Sequence, residues 1–218
     1  MEKEYNLTGY FMLLLMALVF VAFHKTYFGQ FPSFDLATSS LSHSKISIFH
    51  HIHVVFALLW VLLLILQPLL IRYKKYITHK YIGRLSYVIF PLLILSCIQP
   101  IFRILHADHA MVVYIPISDC LVLILFYVLA IYHKKDAAKH MRYMIGTAFV
   151  FLGPVFGRIG PYVFDIHPKI AIHIMFMVVY LIVGMLVYFD RKYGRNFRPY
   201  LIVLTAMLVK HILFVVLL

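Results

Sequence analysis

Charged residues are scarce in this chain of 218 residues, where they make up only 13% of the sequence. Soluble proteins are about a quarter charged and roughly half apolar. Here 64% of the residues are hydrophobic and the mean hydropathy is +0.94. Too few polar side chains are available to cover a folded surface in water. The composition therefore excludes a soluble protein and indicates an integral membrane protein.

Cysteine is also rare, because only Cys97 and Cys120 occur and both lie in apolar stretches. Two cysteines exclude a disulfide framework beyond a single pair. The chain has no Cys-x-x-Cys or His-Glu-x-x-His pattern, no phosphate-binding glycine loop and no Ser-His-Asp order. The common motifs for nucleotide binding, zinc proteolysis and serine hydrolysis are thus absent.

Apolar segments near the ~20 residues that a bilayer core requires occur seven times. A backbone that crosses lipid must satisfy its own hydrogen bonds, and the ~10-residue alternation of a membrane barrel is missing, so all seven are predicted to be helices. The predicted spans are Leu7–Phe23, Ile48–Ile71, Tyr81–Ile101, Met111–Ile131, Arg142–Gly160, Ile170–Phe189 and Tyr200–Leu218. The predicted fold is all-α: a polytopic membrane bundle of seven transmembrane helices, in a single domain of residues 1–218.

Lysine and arginine alternate between the connecting segments. Fourteen of the 20 are Lys3 or lie in the segments Arg72–Arg84, Lys134–Arg142 and Arg191–Arg198. Cytoplasmic loops of membrane proteins carry this excess of positive charge. We therefore predict a cytoplasmic N-terminus and a multi-pass location in an inner (cytoplasmic) membrane. The formal net charge of +12 is assigned to topology and to contact with the lipid bilayer, and no nucleic-acid partner is expected.

The second span carries a polar stripe formed by His53, Trp60 and Gln67. At ~100° per residue these three side chains fall within about 40° of one another on a helix. We expect the other helices to pack around this stripe.

Histidine is abundant, with 13 residues, nine of them on the predicted outer side. Neutral imidazole is a common ligand of zinc, copper and haem iron. Four histidines lie on four different spans at paired depths: His53 and His173 near the outer face, and His79 and His140 near the inner face. They predict an outer and an inner cofactor site. The alternative is that interfacial histidines merely tolerate the headgroup region.

For a simple metal ion, the candidate ligands are histidines on the predicted outer side. They are His50, His53, His106, His109 and His173.

Four arginines accompany the paired histidines. Arg84 and Arg142 lie near the inner pair, and Arg103 and Arg158 lie near the outer pair. Because a guanidinium binds a carboxylate through two parallel hydrogen bonds, these arginines are predicted to hold haem propionates or other anions. The alternative is that they are interfacial anchors with their alkyl chains in lipid.

Two family resemblances rest on these residues. His53, Gln67-Pro68, His79 and Gly83-Arg84 form the string H-x13-Q-P, a basic turn and H-x3-G-R, which resembles b-type transmembrane cytochromes that pass electrons from ascorbate. A second resemblance is to uncharacterised bacterial polytopic membrane proteins, and it rests on the segments His79–Arg84 and His140–Met144 with the later Arg158. This second resemblance is the closer of the two.

If these histidines are axial ligands, as the cytochrome resemblance implies, their positions at the two faces require the pairs His53 with His173 and His79 with His140. The order of these ligands along the chain, on spans two, three, five and six, departs from the family pattern, in which four successive helices carry them. A single haem or a mononuclear metal at the outer face is therefore left open.

Two charged residues fall inside spans. Asp119 and Lys210 are both predicted to lie ~12 Å deep by helical rise. Because an isolated charge there is costly, we predict an Asp119–Lys210 ion pair with His211 beside it. Such a pair has either a functional role or a purely structural one.

These features predict a protein that binds haem b, or alternatively copper, zinc or iron, for transmembrane electron transfer with a membrane redox partner, as in a b-type cytochrome-like oxidoreductase. The alternatives are a small-ion or metal transporter that uses the outer histidines and the Asp119–Lys210 pair, and a membrane subunit without chemistry of its own.

Overall fold

The computed structural model describes residues 3–30, 48–105 and 110–218, and every regular element in these ranges is a helix. The α-helices are α1 Thr8–Phe23, α2 Ile48–Arg72, α3 Tyr76–Arg84, α4 Ser86–Ser96, α5 Ile98–Leu105, α6 Tyr114–Tyr132, α7 Ala137–Val150, α8 Leu152–Val163, α9 Pro168–Lys192 and α10 Arg198–Leu217. Short 3-10 helices occur at Lys3–Leu7, Phe28–Gln30 and Ala110–Val113.

Seven helical segments are long and apolar enough to cross a membrane. They are Tyr5–Phe23, Ile48–Arg72, Tyr76–Leu105, Tyr114–Tyr132, Ala137–Val163, Pro168–Lys192 and Arg198–Leu217. The prediction of an all-α, multi-pass membrane protein with seven transmembrane helices is confirmed. The cytoplasmic N-terminus and the inner-membrane location stay predictions.

The third and fifth helical segments begin earlier than the hydropathy of the sequence predicts. They start at Tyr76 and Ala137, five residues before the predicted Tyr81 and Arg142. Polar residues remain helical where a helix leaves the apolar layer, because the backbone hydrogen bonds are the same in both environments. Hydropathy alone therefore places the start of these two helices too late in the sequence.

Asp136 caps the N-terminus of α7. Its carboxylate accepts a hydrogen bond from the Lys139 N–H at 3.1 Å, and the Lys139 ammonium lies 3.1 Å from its other oxygen. The Lys139 backbone hydrogen bond is the main cause that holds the pKa of Asp136 below its usual value. The resulting stabilisation is present above the ordinary carboxyl pKa and is lost as the pH falls through the lowered one.

The third and fifth transmembrane segments are interrupted at Leu85, Cys97 and Phe151. Pro100 and Pro154 lie three residues after the last two interruptions. Proline has no N–H to continue the helical ladder but is accommodated in the first turn of a new helix. Each of these two prolines therefore lies in the first turn of a helix that restarts within a membrane segment.

The chain divides into two compact units, Met1–Arg103 and Ile104–Leu218. The prediction of one domain stays a prediction. In the first unit α2 packs against α1, α3 and α4. Trp60 is fully buried, with its ring 5.1 Å from that of Phe90. Trp60, at the middle of the polar stripe of α2, therefore faces the interior of the first unit.

The second unit contains α6 to α10. Helix α7 packs against α6 and α10, and α9 packs against α8 and α10. Its interior includes the fully buried side chains Phe126, Val155, Val179 and Val203. Outside this core, large apolar side chains such as Leu181 are exposed, as expected of side chains that contact lipid.

Gly160 lies at a close approach of α8 to α9. A Cβ at this position would overlap the Cβ of Ala171. We expect Gly160→Ala to destabilise the protein by about 1–3 kcal/mol, because a rigid backbone contact must open. Gly184→Ala is the matched control, since nothing lies within 4 Å of its added Cβ. Thermal unfolding in detergent gives the melting temperature of each variant. Equal melting temperatures for Gly160→Ala and Gly184→Ala would contradict a close contact between Gly160 and Ala171.

Candidate functional site

Asp119 and Lys210 form an ion pair inside the second unit, as predicted. The Lys210 ammonium contacts Asp119 Oδ1, and the two side chains are 13% and 6% exposed for Asp119 and Lys210 respectively. Helices α6 and α10 bring them together from positions 91 residues apart in the chain. We call these two residues the charged pair.

The charged pair lies closer to the helix ends than predicted. Helix α6 begins at Tyr114 rather than at Met111, so Asp119 is only roughly 8 Å from the start of its helix. Lys210 lies seven residues before the end of α10 at Leu217, or roughly 10 Å. Residues Ala110–Val113 form a 3-10 helix, which shortens the predicted α-helical span.

A glycine and a cavity adjoin the charged pair. A Cβ at Gly153 would lie 3.5 Å from both carboxylate oxygens of Asp119. The Tyr114 hydroxyl donates a hydrogen bond of 2.6 Å to the backbone oxygen of Lys210. A cavity of about 10 Å³, lined by Tyr114, Gly153, Phe176 and Lys210 among others, has room for about one water molecule.

A hydrogen-bonded chain of three side chains lies beside the charged pair. His211 Nδ1 is 2.9 Å from the Tyr180 hydroxyl, and His211 Nε2 is 2.8 Å from His173 Nδ1. We call Tyr180, His211 and His173 the histidine chain. It begins near the N-terminal end of α9 at His173 and reaches two turns further along α9 at Tyr180, with His211 contributed by α10.

Phe176 separates the charged pair from the histidine chain. Its ring is stacked on the His211 imidazole, with the centroids 4.1 Å apart and the planes at 12°. The Lys210 ammonium lies 5.9 Å from the centre of the same ring. His211 is thus beside the charged pair, as predicted, but an aromatic ring lies between them.

A second buried ion pair joins Arg142 to Asp190. Arg142 Nε donates to Asp190 Oδ2 at 2.6 Å and Arg142 Nη2 donates to Oδ1 at 2.8 Å. Both side chains are essentially fully buried. Arg142 Nη1 also donates to the Ala138 carbonyl at 3.0 Å, and the Tyr200 ring lies 5.8 Å from the guanidinium carbon. The anion that Arg142 holds here is a carboxylate of the protein itself.

Sequence reasoning did not single out Asp190. It was placed just outside the sixth predicted span, which ended at Phe189, and next to a basic segment. The helix in fact continues to Lys192. It is ended by Gly194 in the left-handed region at φ +65°, where the Arg195 N–H bonds to the Asp190 carbonyl. The sequence did contain a signal for this pair. Asp190 and Arg142 both lie at predicted cytoplasmic ends of apolar helices, so they are at similar depths.

The three histidines at the start of α2 contact three different segments. His50 Nε2 lies 3.2 Å from Arg103 Nη1, and His53 Nδ1 lies 2.9 Å from Ser96 Oγ. His51 Nδ1 is 2.6 Å from the Tyr27 hydroxyl, whose pKa is raised by burial. The Tyr27 phenol therefore stays protonated beside His51.

Three residues of the cytochrome-like motif, Gln67, His79 and Gly83, meet in the first unit. With its orientation assigned from its partners, the Gln67 amide nitrogen lies 3.2 Å from the His79 carbonyl and 2.5 Å from His79 Nδ1. The amide oxygen accepts from the Gly83 N–H at 3.1 Å. A Cβ at Gly83 would lie 3.4 Å from the amide. Gln67 thus reaches the backbone of α3 at Gly83, where an added Cβ would be in van der Waals contact with the amide.

Three other predicted site residues have neighbours within their own unit. His140 Nδ1 lies 2.8 Å from the Ala130 carbonyl. Arg158 donates to the Pro154 carbonyl of its own helix at 3.1 Å. The Arg84 guanidinium lies 5.3 Å from the Tyr81 ring centre.

Two predicted metal ligands, His106 and His109, lie outside the described residues. Within residues 3–30, 48–105 and 110–218, no group of three or more His, Cys, Asp or Glu side chains could hold a metal ion. Haem, which needs only two histidines, and the metal alternatives stay predictions.

Comparisons of the chain with protein-family models, with curated proteins and with solved structures find no match. Both family resemblances stay predictions.

Proposed function

We propose that this protein is a proton-linked small-ion transporter that uses the charged pair of its second unit as the exchange site. The observation that carries the proposal is the Asp119–Lys210 contact within membrane-spanning helices, with a cavity and a histidine chain beside it. Ionisable side chains at such depths are costly and commonly belong to ion or proton pathways.

The chemistry of the two buried pairs supports assigning exchange to Asp119 and Lys210. Arg142 donates two parallel hydrogen bonds to Asp190, and an arginine side chain stays protonated in proteins. The Lys210 ammonium contacts Asp119 at Oδ1, and an ammonium is a point charge on a flexible stem without the rigid fork of a guanidinium. The first pair is suited to holding helices together, whereas the second can separate when either partner changes its charge.

The histidine chain supplies further groups that can bind and release protons. Each of the two nitrogens of an imidazole can carry a proton, so neighbouring histidines can pass a proton between them. His173 lies one turn from the N-terminal end of α9 at Pro168, so it is close to one end of the span. Protonation of the histidine chain adds positive charge close to Lys210, which favours separation of the charged pair.

The test is ion flux into liposomes that contain the purified protein and a trapped pH-sensitive dye. An imposed gradient of protons, and then of Na⁺, K⁺ or Zn²⁺, should change the internal pH faster than in protein-free liposomes. Rates equal to those of protein-free liposomes under all four gradients would contradict the proposal.

Histidine-ligated haem is a second candidate, and hydrogen bonding at two of the predicted ligands favours it. Ser96 Oγ donates its proton to the Leu93 carbonyl at 2.6 Å, so its oxygen accepts from His53 Nδ1. The Ala130 carbonyl likewise accepts from His140 Nδ1. Both rings therefore carry their lone pair on Nε2, and a carbonyl or hydroxyl partner at Nδ1 is typical of metal-binding histidines.

His79 fits this candidate less well. The Gln67 amide nitrogen at 2.5 Å donates to His79 Nδ1, which outweighs the long contact of 3.4 Å between Nδ1 and the Gln67 backbone carbonyl. The proton of the neutral ring is then on Nε2, where an iron ligand needs a lone pair.

If haem binds, the protein purified after expression with added haem should show a Soret band that shifts on reduction. We expect His53→Ala to remove most of that band, whereas the exposed His24→Ala should keep it. A colourless wild-type protein, or a spectrum unchanged by His53→Ala, would contradict this candidate.

A further inference from the structure

A cluster of positive charge lies at the turn between α2 and α3 in the first unit. It consists of Arg72, Lys74, Lys75, Lys80 and Arg84, and we call it the basic turn. The part of this unit with described side chains contains no Asp or Glu, so none of these cations has a carboxylate partner there. The segment Lys134–Arg142, in contrast, contains Asp136, which pairs with Lys139.

Large apolar and aromatic side chains are interleaved with the basic turn and are exposed. Ile77 is 75% exposed and Tyr81 63% exposed, and Tyr73 and Tyr76 are also more than half exposed. Cations mixed with exposed tyrosines are typical of a surface at the boundary between headgroups and acyl chains.

Helix α3 presents these side chains on the face opposite the rest of the unit. His79 and Gly83 face Gln67 of α2. At ~100° per residue, Ile77, Tyr81 and Arg84 fall on the other side of the helix. Arg84 lies over the Tyr81 ring at 5.3 Å, so charge and aromatic surface are adjacent on this outer face.

The N-terminal part of α1 and the residues before it contact the basic turn. Arg72 Nη1 donates to the Asn6 carbonyl at 2.8 Å, and its guanidinium lies 5.0 Å from the Tyr10 ring centre. The Tyr10 and Tyr73 hydroxyls are 3.3 Å apart. These contacts hold the start of α1 beside the basic turn.

We propose that the basic turn is a binding surface for anionic phospholipid headgroups. Its cations attract the phosphate, and its exposed Ile77 and tyrosines contact the acyl chains next to it. A soluble anion would use the charge but not the apolar surface. This inference does not depend on ion transport or on haem.

Energy transfer from Trp60, the only tryptophan of the chain, measures which lipid collects at this unit. Full-length protein is placed in phosphatidylcholine vesicles that contain either dansyl-phosphatidylglycerol or dansyl-phosphatidylcholine. The test variant is Lys74→Asn/Lys75→Gln/Lys80→Gln. Asparagine is chosen because Lys74 adopts the left-handed backbone at φ 58°, which asparagine tolerates. Lys134→Gln/Lys135→Gln is the matched control in another basic segment.

We expect the wild type and the control to transfer about twofold more energy to the anionic lipid than to the neutral one, and the triple variant to show equal transfer. Equal transfer in the wild type, or the same enrichment in the triple variant, would overturn the proposal. Loss of the enrichment in millimolar inorganic phosphate at constant ionic strength would also overturn it, because the surface would then be a phosphate site.

Discussion

Asp190→Ala should lower the free energy of unfolding by about 3–5 kcal/mol, which corresponds to a fall in melting temperature on the order of 10 °C. The substitution leaves the Arg142 guanidinium fully buried without the carboxylate that occupies two of its nitrogens. An uncompensated buried charge is far more costly than the absence of the whole pair. Thermal unfolding in detergent, followed with a dye that reacts with the half-buried Cys97 and Cys120, measures this effect.

The double variant Arg142→Met/Asp190→Leu separates the cost of an unpaired charge from the value of the pair. Because it removes both charges and keeps apolar volume, most of the lost stability should return. A single variant as stable as the wild type would show that the pair does not hold α7 and α9 together. A double variant as unstable as Asp190→Ala would assign the effect to lost packing instead.

Asp119→Asn and Lys210→Met should each reduce ion flux to the rate of protein-free liposomes, if the proposed function is correct. The amide introduced by Asp119→Asn cannot bind or release a proton, and methionine at position 210 removes the cation that the carboxylate exchanges with. Asp165→Asn is the matched control, because it makes the same chemical change at an exposed residue of the same unit. Asparagine also tolerates the left-handed backbone found there at φ 55°.

The double variant Asp119→Asn/Lys210→Met distinguishes transport from a structural role. Removing both charges should restore stability that either single change loses, while the flux stays absent. Wild-type flux in a folded double variant would show that the charged pair only holds α6 against α10.

The seven membrane-spanning helices could be predicted because each depends on local composition. Lipid offers no hydrogen bonds, so a run of ~20 apolar residues must be helical whatever it packs against. The residues at which the helices begin were less predictable. Helices α3 and α7 begin in polar sequence at Tyr76 and Ala137, where hydropathy carries no signal.

The two buried pairs show why one partner was predictable and another was not. Asp119 and Lys210 were the acidic and basic residues that stood well inside predicted spans, so charge balance alone paired them. Arg142 was expected to hold an anion, but Asp190 stood at the end of a span beside Arg191 and Lys192. Only the packing of α9 against its neighbours shows that Asp190 faces inward while those two cations are exposed.

The sequence by itself determined the class of protein, its helices and the residues that are costly to bury, because these follow from composition and from the needs of a backbone in lipid. The tertiary structure decided which of those residues meet. It placed Asp190 against Arg142, His211 between His173 and Tyr180, and Gln67 against α3. Such contacts depend on the rotation and depth of one helix relative to another, which side-chain packing sets and hydropathy does not record.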